Sequence, residues 1–259
     1  MLVPITGPEY NHSTGCVECQ AFGIGDAAQC QSWLQSDVRD RLYDAEGHAN
    51  LVAVAATLNA DGFDMSEVDA ALAEPEPEPE VGDIGECIAE LFLMQQTNAI
   101  FPWNKKGDMK SMRASLPGTD LVGYRAGGTG GHKFLFGEVK ASFQAARPPT
   151  VMAASGKGMV AQLFAVHNQD LIRSRLMKYA QKRANTDDEK KRFKEALISL
   201  GEGDFYLEGV LVRDTAPHQD DIKNPAAALS QKLAAGRDAT LYVLYVKVPI
   251  ADWVSHCAP

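Results

Sequence analysis

Apolar positions fall at a helical period along much of the first third of the chain. Trp33, Leu34, Val38, Leu42 and Tyr43 share related faces, and Leu51 to Leu58 is a second, almost continuously apolar helix candidate. Asp64, Met65 and Ser66 open a short helix that runs to Leu72. Residues 1–30, rich in Gly, Cys, Ser and Asn, show no clear period. A longer helix is predicted over 82–97, with Ile84, Ile88, Leu91 and Phe92 on related faces and Asp83 as its N-cap. The period then drops to two. A strand is predicted over 119–125 and its partner over 133–142, joined by the permissive glycine-rich turn 127–131. Beyond them the pattern gives helix over 151–183 and again from Asp187, strand over 205–213, helix over 221–235 and strand over 239–249.

One segment interrupts this order. Residues 74–80 alternate Glu and Pro, which neither a helix nor an inner strand accepts, and read as an extended, self-repelling spacer. The chain divides there into an acidic, mainly helical N-terminal region (1–73), a linker or loop (74–80) and a larger unit (81–259). The order in the larger unit, α-β-β-α-α-β-α-β, predicts an α/β fold with a mixed central sheet flanked by helices.

The strand pair carries the chemistry. Asp120 heads the first strand, and Glu138 and Lys140 sit two apart on the second. Strand side chains alternate faces, so Glu138 and Lys140 point the same way and Val139 points to the other side. Two carboxylates and an ammonium converging at one sheet edge are costly without a ligand. A divalent cation and a phosphodiester resolve that cost, because carboxylate oxygens suit Mg²⁺ or Mn²⁺ and a lysine supplies a point charge.

Net charge changes the picture only through its distribution. A total of −9 argues against a general nucleic-acid binder. Residues 1–100, however, hold 18 acidic and two basic residues, whereas residues 101–160 hold nine basic and three acidic ones. The basic segment surrounds Asp120, Glu138 and Lys140, as a phosphate-tracking surface requires. Lys105, Lys106, Arg125, Lys133 and Arg147 are its candidate nucleic-acid contacts.

Gly118-Thr119-Asp120 followed by Gly137-Glu138-Val139-Lys140 resembles the PD-(D/E)xK nuclease core, with Thr119 as a departure before the Asp. The segment around Glu86 and Glu90 is similar to the first helix of that superfamily, where a Glu often assists metal binding. Gln162 falls in the later helix where some members place a supporting polar residue. Within the superfamily, the Gly-Glu-x-x-Ala-Glu helix and the two strand motifs look like the HamA nuclease subunit of Hachiman anti-phage defence systems, over roughly residues 80–250. The resemblance implies a restriction-endonuclease-like core that cleaves DNA with Mg²⁺ or Mn²⁺. Asp120, Glu138 and the Val139 carbonyl would hold the ion, Glu86 would assist, and Lys140 would steady the attacking water. It also implies a helicase-like partner of the HamB type that restrains the nuclease. A catalytically silent docking subunit and a structure-selective recombination nuclease stand as alternatives.

The remaining signals are weaker. His12, Cys16, Cys19 and Cys30 leave two readings open, zinc ligands or free thiols, and their spacing fits no common finger. Five cysteines, no signal-peptide pattern and no apolar run of membrane-spanning length lead us to expect a cytoplasmic chain that does not engage a membrane.

Overall fold

Six strands form one mixed sheet in the computed structural model, which describes residues 2–74, 78–102, 119–127, 131–233 and 238–258. Across the sheet the order is β1 (Ile5–Thr14), β2 (Val17–Ile24), β6 (Ala239–Val246), β5 (Tyr206–Arg213), β4 (His132–Ser142) and β3 (Leu121–Ala126). The four inner strands β2, β6, β5 and β4 run parallel, and β1 and β3 close the edges antiparallel to their neighbours. In chain order the helices are α1 (Ala27–Trp33), α2 (Arg39–Leu42), α3 (Ala45–Ala60), α4 (Ser66–Leu72), α5 (Val81–Thr97), α6 (Thr150–Ala153), α7 (Met159–Asn168), α8 (Asp170–Arg183), α9 (Asp187–Gly201), α10 (Lys223–Lys232) and α11 (Trp253–Cys257). The expected α/β architecture, a mixed sheet flanked by helices, is the one observed.

Strand alternation gives the sheet two cores. On one face, Leu135, Val139, Val210 and Leu244 pack against Trp33, Ile84, Ile88, Phe92 and Trp253 from α1, α5 and α11. On the other, Phe134, Phe136, Leu211 and Val243 pack against Leu163, Leu176, Ala196 and Leu229 from α7 to α10. Among the described residues, no helix is long and apolar enough to cross a membrane.

Three local expectations need correction. The N-terminal region is not helical at its start; residues 5–24 form the β1–β2 hairpin, and β2 pairs with β6 along its whole length. Polarity hid β1. It is an edge strand, ITGPEYNHST, with register irregularities around Gly7 and Pro8 and side chains that alternate between exposed and half-buried. The helix predicted over 151–183 is three helices. Gly156 has a φ of +71°, Gly158 caps α7, and Arg173 donates to the carbonyls of Val166 and His167 at the α7 C-terminus. Finally, Glu80 rather than Asp83 is the N-cap of α5. Asp83 is the N3 member of the capping box, and its carboxylate accepts from the Glu80 N–H at 3.1 Å.

Candidate active site

The register of β3 on β4 builds the site. Leu121 pairs with Gly137, so Asp120, just before β3, comes level with Glu138. Thr119 is buried and donates its hydroxyl to the Gly137 carbonyl, which pins the entry to β3. Gly137 has no room for a side chain, because a Cβ there would lie 2.5 Å from the Glu208 carbonyl oxygen. The Val139 N–H donates to Asp120 Oδ2 at 2.9 Å. A strand residue presents its N–H and C=O to the same side, so the Val139 carbonyl also faces the Asp120 edge.

Lys140 Nζ donates to Glu138 Oε1 and lies 4.0 Å from Asp120 Oδ2. The structure therefore brings Asp120, Glu138 and Lys140 together. Asp120 and Lys140 are 26% and 20% exposed, whereas Glu138 is 1% exposed. The site has an open mouth and a buried floor. Burial, with the Asp120 carboxylate beside it, pushes the Glu138 pKa up to about 8 against the opposing pull of Lys140. In its protonated form the Glu138 carboxyl bonds Asp120. Its Oε2 is buried, and no N–H or O–H among the described residues donates to it. A carboxylate oxygen in that condition is costly, and a hard cation between the two carboxylates would satisfy it. The donor set, two carboxylates and a carbonyl with room for water at the open side, fits Mg²⁺ or Mn²⁺.

Among the described residues, Glu86 does not complete a three-carboxylate cluster with Asp120 and Glu138. It lies on α5, where a Cβ added at Gly85 would meet the Ala141 Cβ at 3.5 Å, so α5 covers the face of β4 away from Glu138 and Lys140. Among the described residues, no three His, Cys, Asp or Glu side chains gather closely enough to hold a metal ion. Glu90, one turn on, pairs with Arg41 Nε at 2.7 Å.

The predicted basic contacts are split. Arg125 pairs with Glu208 at 2.8 Å and lies over the Tyr206 ring, and Lys133 pairs with Asp204 at 2.7 Å. Both sit at the far end of the hairpin; five strand residues put Lys133 about 17 Å along β4 from Glu138. Closeness in sequence became distance along an extended strand. Arg147 lies five residues past the other end of β4 and donates to the Ala216 carbonyl at 3.1 Å. Lys105 and Lys106 lie outside the described residues.

Several polar groups escaped the sequence reading. Glu208 is buried under the opposite core, its Oε2 lacks a partner, and burial lifts its pKa to about 7 against the pull of Arg125. Arg213 and Asp221 are both fully buried, 3.3 Å apart, and Arg213 donates to Ser142, two residues beyond Lys140. A lone charge inside an otherwise apolar strand, as at 208 and 213, was the available signal. Gln162 belongs to α7, whose Met159 and Leu163 crowd Gly209, the register partner of Glu138; the buried Gln162 Oε1 has no hydrogen-bond partner. The zinc alternative does not assemble. Cys19 and Cys30 belong to opposite cores, His12 bonds Thr14 at 2.6 Å, and Cys16 lies 3.7 Å from the Ser230 hydroxyl.

No protein-family model matches the chain, and no curated protein or solved structure matches it.

Proposed function

We propose that the chain is a metal-dependent nuclease whose catalytic residues are Asp120, Glu138 and Lys140. One observation carries this reading: a buried Glu138 oxygen that no protein donor satisfies, set against Asp120, with the Lys140 ammonium at the same opening. Asp120, Glu138 and the Val139 carbonyl would hold Mg²⁺ or Mn²⁺. When bound, the ion supplies Lewis acidity and lowers the pKa of a ligated water. Lys140 orients the attacking water and offsets charge that builds on the phosphoryl oxygens. The exposed edges of Asp120 and Lys140 leave the approach open to a sugar-phosphate backbone, and Arg147 contributes positive charge five residues past the end of β4.

DNA as the substrate, and a place beside a helicase-like partner in an anti-phage complex, rest on the motif resemblance to HamA-type subunits. The test is a plasmid-nicking assay on the purified chain with Mg²⁺ or Mn²⁺. Cleavage is expected, with loss on adding EDTA and at least about 100-fold loss in Lys140→Ala. A folded chain that cuts neither DNA nor RNA with either ion would overturn the reading and favour a silent docking subunit.

A further inference from the structure

The helix α3 is out of place on a protein surface. Of its 16 residues only Ala55 is buried, while Leu51, Val52 and Val54 are 51%, 43% and 55% exposed. Its single acidic residue is Glu46, and it carries no Lys or Arg. A helix that is apolar on most sides is ordinarily covered, and one of this length with a glycine at position 47 is marginal alone. Among the described residues its main neighbours are α2 and α4, and Phe63, just past its end, is also exposed. Several exposed apolar side chains on one short element mark an interaction surface rather than scattered surface residues.

Charge selects the occupant. Glu46, Asp61, Asp64, Glu67 and Asp69 are exposed around the α3–α4 pair. The chain has no Lys or Arg between Arg41 and Lys105. We propose that α3 and Phe63 form a docking surface for a partner protein presenting an apolar groove rimmed by Lys and Arg. A second copy of the chain would set these carboxylates against identical ones, and an anionic membrane would repel them. This surface is independent of the nuclease reading.

The probe is an amphipathic Leu/Lys helical peptide, with a Leu/Glu peptide of the same pattern as control. Binding to the full chain is read by fluorescence anisotropy, and its location by hydrogen exchange. The Leu/Lys peptide is expected to bind and to slow exchange over 45–60. The double variant Leu51→Gln/Val54→Gln should lose at least about tenfold in affinity. Its thermal midpoint should barely move, because both side chains are exposed in the free chain. Unchanged affinity in the double variant, protection elsewhere than α3, or equal binding of the two peptides would overturn the proposal. So would a dimer of the parent chain that the double variant abolishes, since that identifies a second copy as the occupant. Nuclease assays do not enter this outcome, so a chain that fails to cut DNA leaves it standing.

Discussion

Glu138→Gln is expected to reduce metal-dependent cleavage by about 10³-fold or more while leaving the fold at least as stable as before. Glutamine keeps the side-chain shape and an oxygen for Lys140 to donate to, but removes one of the two negative charges that would hold the cation. Stability moves the other way. The Glu138 pKa rises from 4.5 to about 8 in the folded chain. The folded state thus holds the proton more tightly than the unfolded state. That contribution is fully present below about pH 4.5 and is lost as pH rises through about 8. Glutamine removes this loss. Glu208→Gln is the matched control. Burial raises its pKa from 4.5 to about 7, so its contribution is lost in the same direction over a narrower range. Its side chain pairs with Arg125 on the opposite side of the sheet from Glu138, so cleavage should persist. Urea unfolding at pH 5, 7 and 8.5 should show a flatter fall in stability for both variants, by on the order of 4 kcal/mol for Glu138→Gln and about 2–3 kcal/mol for Glu208→Gln across the range. Cleavage by Glu138→Gln within tenfold of the parent would remove Glu138 from the chemistry.

Removing residues 2–26 is expected to prevent stable folding. The deletion takes away β1 and β2, and with them the buried Val17, Cys19, Ala21 and Ile24. Burying a Val or Ile side chain contributes about 1.5–3 kcal/mol. Those two residues alone approach a large fraction of a typical domain stability of about 5–15 kcal/mol. The loss also leaves β6 as an edge, with an apolar strand of unpaired backbone groups open to other chains. Circular dichroism and sedimentation should show a loosely folded, aggregating product. A truncated monomer melting at the parent temperature would mean that the hairpin is dispensable, and that the 1–73 region separates cleanly from the rest.

The site was legible because strand chemistry is local. Glu138 and Lys140 had to share a face, and the turn length after Arg125 set the register that brings Asp120 level with Glu138. The long helix at 81–97 announced itself through Ile84, Ile88 and Phe92. What stayed hidden depended on partners distant in sequence. β1 and β2 carry little apolar bulk; β1 is held by pairing with β2, and β2 is fixed in the sheet by β6, more than 200 residues away. Arg125 looked like a phosphate contact until Glu208, 83 positions on, claimed its guanidinium. Glu86 shared a motif with the site, but the helix that carries it packs on the other face of β4, a placement that no spacing within a helix encodes.

Anomalous scattering from a crystal soaked in Mn²⁺ tests the central claim most directly. One peak is expected about 2 Å from oxygens of both Asp120 and Glu138 and from the Val139 carbonyl, and it should vanish in Glu138→Gln. A peak elsewhere, or none while the soaked crystal still diffracts, would contradict a cation held between these two carboxylates.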